Sequence, residues 1–177
     1  MTPKSAAAIL AGASVFASAF IGVDAPQAGT GCTIPGTAAS ETIMGTPGDD
    51  YICAGGGDDV IRGLGGNDLI LGGSGADRIY GGGGDDRIRG GADRDALAGG
   101  YGNDIMKGGP AADTLRGQES GDRLYGGGGH DRLVGGDARD LFYARDDVRD
   151  RIEGGAGRDC AHVDTGLDVT VSVHEYF

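Results

Sequence analysis

The stretch GGSGADRIYGGGGDDRIRGG, Gly72 to Gly91, decides how this chain folds. Nine of its twenty residues are glycine and three are aspartate, a composition that suits a flexible linker. Yet Ile79 and Ile88 stand nine residues apart, each two places after an aspartate. A linker has no use for an apolar residue held in register.

The register runs far beyond this stretch. From Gly45 the chain divides into nine-residue units such as AGGGDDVIR (54–62), GGSGADRIY (72–80) and GGGGHDRLV (126–134). Thirteen units fill residues 45–162, with Ala144 as one extra residue. Position six is always aspartate: Asp50, Asp59, Asp68, Asp77, Asp86, Asp95, Asp104, Asp113, Asp122, Asp131, Asp140, Asp150 and Asp159. Position eight is always apolar, from Ile52, Ile61 and Ile70 through Leu97 and Phe142 to Ile152 and Ala161. Low-complexity disorder accounts for richness in Gly and Asp, but it requires no such phase.

Composition narrows the classes. Aromatic residues make up 6% and Trp is absent, so a conventional layered core is not expected. The 39 glycines carry a large ordering entropy that something besides bulk burial must offset. A net charge of −12 disfavours nucleic acid and anionic membrane surfaces and favours cations. Positions seven to nine read as a short strand with its middle side chain inward, and positions one to six as a turn. One such unit cannot fold alone, whereas stacked units bury a continuous ladder.

The units resemble the glycine-rich nonapeptide of the RTX (haemolysin-type) calcium-binding repeats, in which glycines, an acid and a large apolar residue recur at these offsets. The resemblance covers residues 45–162. It implies an all-β fold, a parallel β-roll (a right-handed β-solenoid) of about 13 nonapeptide repeats, two per turn. That gives six and a half turns, about 31 Å at the usual strand spacing. It also implies several Ca²⁺ ions, each between loops two units apart on one edge. Asp50 then pairs with Asp68, Asp59 with Asp77, and so on along all thirteen aspartates. Gly45, Gly63, Gly72, Gly81 and Gly99 belong to the same candidate sites.

The chemistry agrees with that implication. Ca²⁺ takes six to eight oxygens from carboxylates and carbonyls, and glycine turns expose carbonyls. Stacked carboxylates repel one another until an ion turns them into ligands, so binding energy becomes folding energy. Position four is glycine through much of the first half but becomes Asp93, Ala111, Ser120, Ala138 and Val148 elsewhere. If it needs positive φ, the sites joining loops 45/63, 63/81, 81/99 and 54/72 are the cleanest, and those in the second half are weaker. Asp49, Asp58 and Asp85 at position five add anionic field or are solvated turn residues.

Two units per turn also sort the outward residues. One sheet carries Tyr51, Leu69, Leu71, Ile105, Tyr125, Leu141 and Tyr143; the other carries Arg62, Arg78, Arg116, Arg132 and Arg151. The first set suits either packing by flanking segments or docking of a partner. Residues 20–44 are expected as an N-terminal cap or linker. Residues 163–177 are expected as a C-terminal capping strand, in which Val169, Val171 and Val173 alternate.

Cysteine, histidine and the N-terminus complete the reading. Cys53 and Cys160 lie twelve units apart, roughly 29 Å in a straight roll, beyond disulfide reach. Cys32–Cys53 remains open, and Cys160 would then be a thiol or pair between molecules. His130, His162 and His174 show no zinc spacing. Lys4 and the apolar run Ala6–Val23, with Ala17-Ser18-Ala19, read as a signal peptide over 1–19. A membrane anchor and lipidation at Cys32 are the alternatives.

Three function classes compare as follows. A secreted, extracellular calcium-binding roll with a structural or adhesive role absorbs the whole repeat. An enzyme lacks a domain of its own and any GxSxG outside the repeats, so none is expected. A surface-binding solenoid wants a uniform outward ladder, which position seven does not supply. Calcium is the expected partner, with no nucleic acid and no membrane span in the mature protein, and with an unidentified protein or cell-surface partner left open.

Overall fold

The structure is a computed structural model and describes residues 31–176. The leader expected over 1–19 lies outside the described residues. Seventeen strands follow in order: β1 (Ile34–Pro35), β2 (Thr42–Met44), β3 (Tyr51–Gly56), β4 (Val60–Gly65), β5 (Leu69–Ser74), β6 (Arg78–Gly83), β7 (Arg87–Gly91), β8 (Ala96–Tyr101), β9 (Ile105–Gly109), β10 (Thr114–Glu119), β11 (Arg123–Gly127), β12 (Arg132–Asp137), β13 (Leu141–Ala144), β14 (Arg151–Ala156), β15 (Cys160–Val163), β16 (Val169–Val171) and β17 (Glu175–Tyr176). Odd-numbered strands form one sheet of nine and even-numbered strands a second of eight. All neighbouring strands along both sheets are parallel, for example β3 with β5 and β4 with β6. The chain therefore alternates between two sheets and advances one strand spacing per two units, a parallel β-solenoid of about eight turns.

The apolar ladder explains this winding. In the nine-stranded sheet Ile34, Ile52, Ile70, Ile88, Met106, Leu124, Phe142 and Ala161 stack in register. In the other, Ile43, Ile61, Ile79, Leu97, Leu115, Leu133 and Ile152 do the same. These residues are buried and form one continuous core. Each unit contributes one large apolar side chain, and stacking removes it from water on all sides. Fully burying such a side chain is worth about 1.5–3 kcal/mol, so no single unit is stable but the array is.

Three features refine the sequence reading. First, position one also faces inward. Gly63, Gly72, Gly81 and Ala54 are buried two residues after the ladder residue, as strand alternation requires. Second, thirteen repeats is an undercount. Residues 36–44 (GTAASETIM) and 163–171 (VDTGLDVTV) sit in the same phase and supply β2 and β16. Thr170 takes the ladder position opposite Ile152, while Val169 and Val171 are exposed and Val173 lies past the strand against the core. Third, the extra residue is not Ala144, which pairs with Val163 in position one. That shifts Asp147, with φ +64°, into position four and leaves Val148 as the bulged residue, free of the strain its β-branch would meet there.

The outward face of the nine-stranded sheet is less apolar than the residues first picked out imply. Arg87, Arg89, Lys107 and Arg123 alternate along it with Leu69, Leu71, Ile105 and Leu141. Tyr125, Tyr143 and His162 stack face to face at its C-terminal end, with ring centroids 4.3 and 4.9 Å apart.

Cys32 and Cys53 form a disulfide, with Cα atoms 5.9 Å apart. It ties the entry of β1 to the neighbouring strand β3. Cys160 is buried near the other end, where the Arg139 guanidinium donates to its Sγ at 3.4 Å. The bridge closes a sequence separation of 21 residues, a loop length whose closure is worth about 3 kcal/mol. Reduction, or Cys53→Ser, is expected to lower the melting temperature of the folded chain by several degrees. A scan with and without reductant checks this, and an unchanged midpoint would refute it.

Candidate metal centre

Each aspartate at position six is placed by the ladder residue two positions later. Once that residue is fixed in the core, the aspartate sits at the mouth of its strand with its carboxyl turned into the stack. There its Oδ1 accepts the backbone N–H of the position-six residue two units earlier. Asp50 donates to Asp68 at 2.8 Å, Asp59 to Asp77 at 2.9 Å and Asp68 to Asp86 at 2.8 Å. The series continues without a break to Asp140 on Asp159 and Asp150 on Asp168. At the other end the N–H of Glu41 donates to Asp59 at 2.7 Å. Glu41 and Asp168 are position-six residues of the two additional units. Extending the nine-residue phase past both ends of 45–162 would have found them.

The second carboxylate oxygen is the informative one. The Oδ2 atoms of Asp59, Asp68, Asp77, Asp86, Asp95, Asp104, Asp113, Asp122, Asp131, Asp140, Asp150 and Asp159 are buried and accept no hydrogen bond. These residues are at most 3% exposed. Leaving an anionic oxygen buried without a partner is costly, and here the arrangement is repeated twelve times. Asp50 is different. Its Oδ2 accepts from the Thr46 backbone N–H and from Thr46 Oγ1, the latter at 3.0 Å. Asp168 likewise turns Oδ2 to the N–H of Asp164 at 2.9 Å.

What surrounds Oδ2 is backbone. A Cβ added to Gly81 would meet Asp86 Oδ2 and, at 2.7 Å, the carbonyl oxygen of Gly99. One added to Gly63 would meet Asp68 Oδ2 and Gly81 O, and one added to Gly72 would meet Asp77 Oδ2 and Gly90 O. Gly45 faces Asp50 Oδ2 and Gly63 O, and Gly99 faces Asp104 Oδ2. The space that position-one glycine leaves is thus lined by a carboxylate of its own loop and often by a carbonyl of the next loop on the edge. Among the described residues no three His, Cys, Asp or Glu side chains converge on one point, so most ligands must be carbonyls. Oxygen-only donors of this kind fit a hard cation such as Ca²⁺ and do not fit zinc.

The electrostatics point the same way. Burial raises the proton affinity of these carboxyls, to about 6 for Asp77, Asp86 and Asp113. It raises Asp68, Asp95, Asp104, Asp131, Asp140 and Asp150 to about 7 and Asp122 to about 8. Asp59 moves in the same direction. The N–H donated to Oδ1 opposes the rise, and neighbouring carboxylates add to it in most loops. Burial thus makes the charged form of this stack costly, and a divalent cation would reverse that preference.

The loop backbone departs from a simple glycine rule. Positive φ occurs at position two as well as position four, as in Gly82 with Gly84 and Gly100 with Gly102. It does not require glycine. Leu64 and Gln118 adopt it at position two, and Ser120 and Ala138 at position four. Thus two loops of the second half keep the conformation that their missing glycine seemed to forfeit.

Comparison with protein families finds one that covers this array. The RTX calcium-binding nonapeptide repeat (4 copies) matches residues 35–70, 62–97, 71–106, 98–133, 107–142, 117–149 and 147–169. The matched spans run beyond the thirteen units at both ends, in agreement with the two additional repeats. Comparison with curated proteins finds no match.

Proposed function

The chain belongs to the RTX calcium-binding nonapeptide repeat family, and from that premise we propose that it is a secreted protein whose loops bind several Ca²⁺ ions and which folds on binding them. The observation that carries this reading is the set of twelve buried Oδ2 atoms without a partner. A chain that must bury so many bare carboxylate oxygens has little reason to fold until a cation is present.

The residues divide the work. The position-eight ladder sets the spacing of the loops. Position-six Oδ1 ties each loop to the one before it on the same edge. Position-one glycine leaves room for Oδ2, and the loop carbonyls face the same space. The bound ion supplies two positive charges to a file of anions. Asp59, Asp68, Asp77, Asp86, Asp95, Asp104, Asp113, Asp122, Asp131, Asp140, Asp150 and Asp159 are the carboxylates that leave a bare Oδ2 along the two edges, from which the ions' ligands are drawn.

No catalytic role is proposed, and the extracellular role is taken as structural or adhesive, supported by the solenoid accounting for nearly all described residues. No helix among the described residues is long and apolar enough to cross a membrane. Circular dichroism of the chain during a calcium titration tests the proposal, with magnesium as control. A cooperative coil-to-β transition with calcium alone is expected. The same β spectrum in metal-free buffer at pH 8 would overturn it.

A further inference from the structure

The loops lie along two edges. Those beginning at Gly45, Gly63, Gly81, Gly99, Gly117, Gly135 and Gly154 enter the nine-stranded sheet and form edge one. Those beginning at Ala54, Gly72, Gly90, Gly108, Gly126 and Ala144 enter the eight-stranded sheet and form edge two. We infer that edge one is an unbroken file of calcium sites from Gly63 to Gly154, whereas edge two binds calcium only near its start: from Gly90 onward Asp95, Asp113, Asp131 and Asp150 keep a bare Oδ2 but neighbouring loops no longer share a backbone. This rests on the calcium reading above.

The backbone carries the first part of the argument. On edge one, six successive loops, from Gly63 to Gly154, have positive φ at both position two and position four. They give five neighbouring pairs with the same backbone on both sides of the gap. On edge two, the loops at Ala54 and Gly72 share that backbone and form one such pair. The loop at Gly90 has it only at Gly91, the loop at Gly108 at neither position, and the loop at Ala144 only at Asp147. The loop at Gly126 has both but lies between two that do not.

Position five carries the second part independently. On edge one, in the file from Asp49 to Asn103, its side chains are acceptors. Asp49 Oδ1 takes the N–H of Asn67 at 2.6 Å, Asn67 Oδ1 that of Asp85 at 2.7 Å, and Asp85 Oδ1 that of Asn103 at 2.7 Å. Alternating Asp with Asn doubles the spacing between charges along this exposed column. On edge two, beyond Asp58, Arg94, His130 and Arg149 are donors, with Ala76 and Ala112 at the intervening positions. Arg94 Nε donates to Ala112 O at 3.1 Å and Arg149 Nε to Leu167 O at 3.1 Å. His130 Nδ1 lies 2.8 Å from Arg149 O. Each reaches the position-five carbonyl of the next loop on the edge and so ties neighbouring loops together through a side chain. Arg94 also sets a positive charge beside Asp113, which repels a second cation. Edge one ends in Arg139 and Arg158, but there the loops at Gly135 and Gly154 keep both positive angles.

Ion location and ion count test this on the full chain. Anomalous diffraction from crystals soaked in terbium is expected to show five peaks in file on edge one and one on edge two, between the loops at Ala54 and Gly72. Equilibrium dialysis with radioactive calcium is expected to return about six ions per chain, and Asp104→Asn is expected to lower that count. Peaks of equal strength along both edges, or an ion for every neighbouring pair of loops, would overturn the inference while leaving calcium binding intact. No bound ion on either edge would overturn the calcium reading itself, and the inference with it.

Discussion

In metal-free buffer the roll is expected to gain stability as the pH falls from 8 towards 4, and in saturating calcium to lose it. The sign follows from proton binding. The folded chain holds protons on the position-six carboxyls from Asp68 to Asp150 up to about 6 to 8, because burial penalises the charged form. The unfolded chain releases them near 4. Between those limits the folded state binds more protons, so the folding penalty of the charged carboxylates is full above pH 8 and shrinks as the solution is acidified. Even three such carboxyls titrating together change stability by about 4 kcal/mol per pH unit, roughly 10 °C in melting temperature for a chain of this size. With calcium bound, the same oxygens are ligands and protons compete for them, so the slope reverses. The β content by circular dichroism at pH 8, 6.5 and 5 without calcium, and thermal scans at the same pH values with calcium, check this. Slopes of the same sign in both buffers would refute it.

The second large effect is expected at Gly81. A methyl group there would overlap Asp86 Oδ2 and press on the carbonyl oxygen of Gly99 at 2.7 Å. Neither can retreat, because Asp86 Oδ1 holds the N–H of Asp68 and Gly99 is buried in the next turn of the same edge. Gly81→Ala should therefore destabilise the calcium-loaded roll by about 1–3 kcal/mol through overpacking and weaken calcium binding at the Gly81 loop, although Ala54 fills the same position in its own loop. Gly83 is the control. It lies two residues away, nothing approaches its Cβ position within 4 Å, and its φ is not positive. Gly83→Ala is expected to be neutral or to stabilise by up to about 1 kcal/mol, since alanine has less entropy to lose. Melting temperatures and calcium titrations of the two variants decide the matter. Equal effects would mean that position-one glycine is needed only for flexibility.

Much of the fold was legible because its determinants are local and repeated. Ile79 and Ile88, each two places after an aspartate, state a strand, a turn and a period within twenty residues. The disulfide between Cys32 and Cys53 was one of the pairings that the roll geometry left open. The two outer repeats were overlooked because Glu41 replaces aspartate in one and Thr170 replaces the apolar residue in the other. Both still keep the phase. The position-five columns, and the bonding of Arg94 and His130 within them, were not legible, since their partners lie 18 and 19 residues away.

The period by itself determined that this chain winds as a parallel solenoid with aspartates filed along its edges, because a nine-residue phase of one acid and one apolar residue allows little else. Only the tertiary structure decided which oxygens are left without partners and which loops share a backbone. Those properties depend on what the next turn places within a few ångströms. Ser120 and Ala138 keep positive φ while Ala111 does not, although none of the three is glycine, because each loop is shaped by the loops stacked above and below it.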